Sequence, residues 1–106
     1  MTVSTQLLYG MPLEAAAFDE YFAAHHHDLL LRIPNVQQVV VHRVAGAALG
    51  DSPFHMLVEL QFDSEEAMQE GLNSETGQAM ASDFGNFTSG GVTVLFCEAT
   101  IETPTA

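Results

Sequence analysis

The stretch FHMLVELQF, residues 54–62, decides the fold because large apolar side chains recur at every second position along it. Most of the positions between them are polar. An alternation of period two is the pattern of a β-strand that turns one face to a hydrophobic core and the other outward. The stretch therefore predicts a strand with an apolar side formed by Phe54, Met56 and Val58, and it leaves open whether helices or a second copy of the chain cover that side.

The segments on either side of this strand complete a regular order of elements. The predicted elements are a strand at 3–9 (VSTQLLY), a helix at 13–32, a strand within 35–46 (NVQQVVVHRVAG), a helix at 64–72 capped by Asp63 or Ser64, a helix at 74–84 and a strand at 92–101 (VTVLFCEATI). The order βαββαβ is the ferredoxin-like pattern of the α+β class, a four-stranded antiparallel sheet with its helices on one face. A chain of 106 residues predicts a single domain, residues 1–106.

Charge is the unusual feature of the composition. The chain has 14 acidic residues, Arg32 and Arg43 as its only strong bases, and a formal net charge of −12. Such a balance repels phosphate backbones and anionic lipid surfaces, so we expect neither a nucleic acid nor a membrane as partner. The first ten residues lack the basic and apolar regions of a signal peptide, and Cys97 is the only cysteine. Both features favour a cytoplasmic location.

The predicted strands are apolar on both faces. In the last strand Val94 and Phe96 point to one side, while Leu95 and Cys97 point to the other. Strands of this kind need cover on both faces, and the helices of one chain can cover only one. The pattern predicts a homodimer in which a second copy packs sheet against sheet.

Three adjacent histidines, His25, His26 and His27, stand in the first predicted helix. On a helical wheel with about 100° per residue and Phe18 at zero, the apolar stripe that includes Phe22 and Leu29 is centred at about 30°. His25 then lies at about −20° and His26 at about 80°, so both flank the stripe, and His27 faces solvent. Because the three side chains spread over about 200°, they cannot converge on one ion.

Periodicity leaves several roles open for these histidines. His25 and Asp28 could form a pairwise metal site, but two ligands are few and we expect no metal. His25 and His26 could be helix-edge residues with a satisfied hydrogen bond. Alternatively, one of them could transfer a proton or polarise a ligand in a pocket between helix and sheet, for which an imidazole pKa near about 6.5 is suited.

Other candidates depend on the register of the middle hairpin. If the hairpin is centred near position 49, His42 pairs with Met56. If that face of the sheet also turns to the helices, His42 can share a pocket with His26; the alternative is a histidine at the exposed end of the strand. Arg43, His55 and Glu59 would then meet on the opposite face as a structural ion pair. Aromatic residues could line the pocket for an apolar ligand, with plain core packing as the alternative. The expected ligand-binding residues are Tyr9, Phe22, His42, Phe84 and Phe87, with Tyr21 as a further lining residue.

Two long segments resemble the EthD-like family. FDEYFAAHHHDLLLRIPNV is similar to a family helix that begins F-D-x-Y-[YF] and continues through H-x-P-L to I-P-G, and SPFHMLVELQFDSEEAM is similar to a second family segment. On this pattern His26 occupies the position of the family's helix histidine. Asp28 stands where the family usually has proline, and Asn35 where it usually has glycine. The resemblance covers nearly the whole chain.

The resemblance implies a dimeric α+β barrel with a hydrophobic pocket between helices and sheet in each subunit. It implies a cofactor-independent oxidoreductase or isomerase that acts on a small apolar substrate, with His26 as acid–base or polarising group. A small-molecule carrier or pathway accessory protein that uses the same pocket is the alternative. A haem-binding barrel with an axial histidine is a third possibility.

Overall fold

A computed structural model describes residues 2–105 and contains one antiparallel sheet with helices packed on one face. The strands are β1 (Thr2–Gly10), β2 (Gln38–Arg43), β3 (Phe54–Phe62) and β4 (Val92–Ala99), in the order β2-β3-β1-β4. The helices are α1 (Ala15–Tyr21), a π-helical turn (Phe22–His26), α2 (His27–Leu31), α3 (Glu65–Asn73), α4 (Glu75–Asp83) and a short 3-10 turn (Phe84–Asn86). The predicted ferredoxin-like fold is confirmed.

The helix-facing side of the sheet is set by the alternation in β3. Met56, Val58 and Leu60 of β3 are almost completely buried, and they lie opposite Tyr9, Leu7 and Thr5 of β1. The core therefore lies between this side of β3 and β1 and the helices; the period-two pattern predicted the apolar side but not that the helices cover it.

Local signals explain where the later helices begin. The hydroxyl of Ser64 accepts a hydrogen bond from the backbone N–H of Ala67, and the hydroxyl of Ser74 accepts one from Gly77. A side chain that satisfies a free amide of the first helical turn is the usual start of a helix. Ser64, rather than Asp63, is thus the cap of α3, and Ser74 begins α4 as predicted.

The middle hairpin differs from the predicted register by one residue. His42 pairs with Leu57, not Met56, and Arg43 pairs with Met56, not His55. A slip of one residue moves a side chain to the other face of a sheet. His42 therefore lies on the face away from the helices, and its predicted place in a pocket with His26 is wrong. The register was mispredicted because the loop between β2 and β3 is long and rich in small residues, so the sequence does not show where the hairpin is centred.

The predicted grouping of Arg43, His55 and Glu59 is also wrong. The pairing of β1 with β3 shifts between Tyr9 and Gly10, which leaves His55 as an extra residue in β3. Such a bulge re-aims the extra side chain. The ring of His55 accordingly packs on Phe18 of α1, and its Nε2 lies 2.7 Å from the carboxylate of Asp19.

Apolar side chains remain accessible on the side of the sheet away from the helices. Leu95 of β4 is 46% exposed there, and Leu57 of β3 and Val40 of β2 are half-buried. On the helix side, Phe96 at the edge of the sheet is 61% exposed. None of the helices within residues 2–105 is long and apolar enough to cross a bilayer.

Candidate functional site

The π-helical turn Phe22–His26 decides which histidine enters the core. Phe18, Phe22, His26 and Leu30 are all almost fully buried, so the buried face recurs every four residues. A regular helix of 3.6 residues per turn would bring His25 and Leu29 closer to this face. The wider turn instead buries His26 and leaves His25 exposed. Turns of this type are often found at functional sites.

His26 bonds through both ring nitrogens. Its Nε2 lies 2.8 Å from the hydroxyl of Tyr9 in β1, and its Nδ1 lies 3.0 Å from Oδ2 of Asp83 at the end of α4. The side chains of His26 and Tyr9 are completely inaccessible to solvent. The imidazole thus connects the sheet to the last turn of α4.

Asp83 extends this chain of hydrogen bonds toward the surface. Its Oδ1 accepts a bond of 2.6 Å from the hydroxyl of Tyr21 and one of 2.9 Å from the side-chain amide of Asn86. The result is a continuous path from Tyr9 through His26 and Asp83 to Tyr21. We call these four residues the Tyr9–Tyr21 relay.

Burial and charge fix the protonation states of the relay. Burial lowers the pKa of His26, against the opposing effect of Asp83, which favours neutral imidazole. Partial burial alone would raise the pKa of Asp83, but hydrogen bonds from Tyr21, Asn86 and His26 outweigh it and lower that pKa. Burial, with the nearby Asp83 carboxylate, strongly raises the pKa of Tyr9, which therefore stays a phenol.

These states assign a direction to each hydrogen bond. An ionised Asp83 can only accept hydrogen bonds, so Nδ1 of His26 carries the ring proton and donates a hydrogen bond to the carboxylate. Nε2 is then the acceptor and takes the hydrogen bond from Tyr9. The hydrogen bond to Asp83, with lesser effects of burial and charge, raises the pKa of Tyr21.

Aromatic rings enclose the imidazole. The centroids of the Phe84 and Phe87 rings lie 5.3 and 4.7 Å from that of His26, and the Phe22 ring lies 5.8 Å away. Tyr9 contacts Phe22, Phe84 and Phe87 as well as His26. The structure therefore packs four of the five residues expected to bind ligand around His26 and leaves out His42; ligand binding by these four stays a prediction.

An open cavity lies at the Tyr21 end of the relay. It has a volume of about 420 Å³, and Pro12, Phe18, Tyr21 and Phe87 form part of its wall. Glu14, Asn86 and Ser89 add polar groups to the lining. His26 does not line this cavity, so the relay reaches it through Tyr21. Asn86, which bonds to Asp83, also lines it.

The remaining histidine predictions have mixed outcomes. His27 was expected to face solvent, but it is half-buried with its ring 5.8 Å from that of Phe22. The carboxylate of Asp28 lies 3.1 Å from Arg32, four residues along the helix, instead of pairing with His25. Within residues 2–105, no group of three or more His, Cys, Asp or Glu side chains is placed to hold a metal ion.

Asp83 is the functional candidate that sequence reasoning missed. It bonds to His26 across 57 positions of sequence, which no local pattern reveals. One signal was present: the last turn of a helix disfavours a carboxylate, because the helix dipole is negative there. An aspartate at that position, with no basic side chain in the last turn of α4, indicates a partner from elsewhere in the fold.

Sequence comparison matches residues 11–91 to the EthD domain. A relative from Rhodococcus erythropolis, known as an uncharacterized 11.0 kDa protein in the thcB-thcC intergenic region, is 33% identical over 92 residues. That match covers 87% of this chain and 89% of the relative.

Solved structures agree with the family match. An ethyl tert-butyl ether d (EthD) family protein from Bacillus halodurans superposes with a TM-score of 0.90 at 29% identity, covering 94% of this chain and 100% of that one. SnoaB, a cofactor-independent oxygenase from Streptomyces nogalater, superposes with a TM-score of 0.69 at 13% identity, covering 98% of each chain. The second likeness shows a shared fold.

Proposed function

The chain belongs to the EthD family, and we propose that it is an enzyme of small-molecule metabolism that moves a proton on an apolar substrate without a cofactor. The observation that carries the proposal is the Tyr9–Tyr21 relay, which joins a buried imidazole to the cavity of about 420 Å³. A shared fold alone would be weak support, since one fold hosts many reactions. The activity named for SnoaB is consistent with chemistry of this kind on this fold.

The relay supplies an accessible acid–base group. Tyr21 donates a hydrogen bond to Asp83, so the lone pairs of its oxygen are free to accept a proton from a substrate in the cavity while its own proton moves to the carboxylate. Because the pKa of Asp83 is lowered, the carboxylate holds this proton only briefly and returns it through Tyr21 in the step that follows. His26 acts through Asp83: its Nδ1–H holds the carboxylate in place. His26 is thus a positioning residue of the acid–base chain, and Tyr9 holds the imidazole in the required tautomer.

A substrate with an acidic C–H beside a carbonyl fits this arrangement. Proton removal leaves a carbanion, which is either reprotonated at another carbon, an isomerisation, or oxidised by dioxygen as co-substrate. The cavity wall of Phe18, Phe87 and Pro12 suits an apolar ring or chain. The reaction class is therefore that of an isomerase or a cofactor-independent oxygenase.

His26 is poorly placed for the haem alternative. An axial ligand needs a free ring nitrogen, whereas both nitrogens of His26 bond to Tyr9 and Asp83 inside the core. A binding protein that uses the same cavity is the second candidate. The binding protein is favoured by the small number of polar side chains bonded to Asp83 that also line the cavity, namely Tyr21 and Asn86.

Proton–deuterium exchange of 2-tetralone in D2O, followed by NMR, tests the proposal. We expect the wild-type protein to accelerate exchange at the carbon beside the carbonyl. Tyr21→Phe and Asp83→Asn should each reduce the acceleration about 100-fold, because positioned acid–base groups contribute about that much. His42→Ala, on the other face of the sheet, serves as the histidine control and should retain full exchange.

The same experiment separates the two candidates. Saturable binding of 2-tetralone with exchange no faster than in buffer would favour the binding protein. Exchange that is unchanged in both Tyr21→Phe and Asp83→Asn would contradict the relay as its source.

We also propose a homodimer formed through the uncovered face of the sheet. Leu95 of β4 is 46% exposed on that face, and Leu57 of β3 and Val40 of β2 are half-buried on it. Apolar side chains left accessible on a sheet face favour association. On the same face, the side chains of Gln6 and Gln61 donate hydrogen bonds to Glu59. The carboxylate is therefore already hydrogen-bonded within one chain and needs no partner from the second copy.

A further inference from the structure

A second, smaller cavity lies between α4 and the β1–β4 edge of the sheet. It has a volume of about 170 Å³, and its walls include Leu7, Met80, Phe84, Val94 and Phe96. The ring of Phe84 separates it from the relay, since the Phe84 ring also packs on His26 at 5.3 Å. This cavity is not part of the site already described.

Thr5 provides an unusual group in the wall of this cavity. Its side chain is completely buried, and its hydroxyl has no hydrogen-bond partner among residues 2–105. A buried hydroxyl without a partner destabilises a fold, and valine would fill the same volume without that penalty. Thr5 is thus a lining residue of the cavity whose hydroxyl has hydrogen-bonding capacity that no residue of 2–105 uses.

Water is a poor occupant of this site. A buried water needs about two to four polar partners, and Thr5 is the only polar side chain in the lining. The volume instead suits a single small ring, because an apolar cavity of about 150 Å³ is large enough for benzene. At the mouth, Val94 is 40% exposed and Phe96 is 61% exposed, which leaves an entry path at the sheet edge.

We propose that this cavity binds a small apolar molecule of about one ring with a single hydroxyl or carbonyl group, which bonds to Thr5. The site goes beyond the proposed acid–base function and requires no residue of the relay; the ring of Phe84 is the wall between the two. Because Thr5 lies opposite Phe96 in the sheet, the polar group of the ligand points to β1 and its ring lies under α4.

Phenol and toluene form a matched pair of probes, equal in size but different in their polar group. We expect both to give saturable NMR shifts at the amides of Thr5, Val94 and Phe96 in the ¹⁵N-labelled protein. Thr5→Val should weaken phenol about fivefold, the usual effect of one hydrogen bond, and leave toluene within twofold.

Replacing either of two alanines in α4 by leucine shows where the probes bind. Ala81→Leu places a larger side chain in the cavity wall and should weaken both probes at least tenfold. Ala79→Leu, on an exposed position of the same helix that does not line the cavity, should change neither affinity. Equal phenol affinity in Thr5→Val and the wild type, or full binding in Ala81→Leu, would overturn the proposal.

Discussion

Nδ1 of His26 lies 3.0 Å from Oδ2 of Asp83, a residue 57 positions later in the chain. This pair links the π-helical turn to the end of α4. On the other side of the ring, the hydroxyl of Tyr9 in β1 lies 2.8 Å from Nε2 of His26. These two contacts bring together a helical turn, a strand and a second helix around one imidazole. Because the side chain of Asp83 is only 11% exposed, the pair is well shielded from water but stays connected to the surface through Tyr21.

The buried imidazole should make stability depend on pH. The pKa of His26 is lowered in the folded protein, so the unfolded chain takes up the proton first as pH falls below about 6.5. The free energy of unfolding should therefore decrease as pH falls from about 6.5 toward the lowered pKa, by at most about 1.4 kcal/mol per pH unit. Asp83 contributes only at lower pH, because its stabilising effect is complete above its unfolded pKa of 3.8 and is lost as pH falls through its lowered folded value.

Urea unfolding between pH 7.5 and 5.0 checks this dependence. His26→Asn removes the titrating ring, and its stability should decline less than that of the wild type over this range. Parallel declines in the two proteins would contradict a buried neutral imidazole.

The fold was readable from the sequence because its strands carry a strong local signal. The alternation over 54–62 identified β3 with its observed ends, and Ser64 and Ser74 identified the helix starts. Side chains apolar on both sides of β4 also predicted a dimer face, which stays a prediction. Such features depend on neighbours in the chain, so a single sequence contains them.

The site was harder to predict because it depends on two irregularities and one distant contact. The helical wheel assumed 3.6 residues per turn and placed Leu29 in the stripe, whereas the π-helical turn buries Leu30 in its place. The one-residue error in the hairpin moved His42 to the wrong face. Only the family resemblance selected His26 over His25, and nothing local paired it with Asp83.

Two adjacent leucines test the π-helical turn. Leu30→Ala should lower the free energy of unfolding by about 2–5 kcal/mol, because Leu30 is completely buried. Leu29→Ala is the matched control, and at a half-buried position it should cost about 1 kcal/mol. Chemical denaturation of the two variants measures the difference, and a larger loss for Leu29→Ala would indicate a regular helix.

The homodimer is testable by mass in solution. Light scattering during size-exclusion chromatography at micromolar concentration should give about twice 11.4 kDa. Leu95→Glu should yield the monomer, since it places a charge on the uncovered face of the sheet. Leu49→Glu is the control, because Leu49 lies in the β2–β3 loop and is 92% exposed. A wild-type mass of one chain would refute the dimer.

The protonation state of His26 tests the relay most directly. Long-range ¹H–¹⁵N correlation NMR distinguishes a protonated nitrogen of an imidazole ring from an unprotonated one. At pH 7 we predict a neutral His26 ring with its proton on Nδ1, held by Asp83, and an unprotonated Nε2 that accepts from Tyr9. A proton on Nε2 instead, or an imidazolium at pH 7, would contradict the relay as the structure presents it.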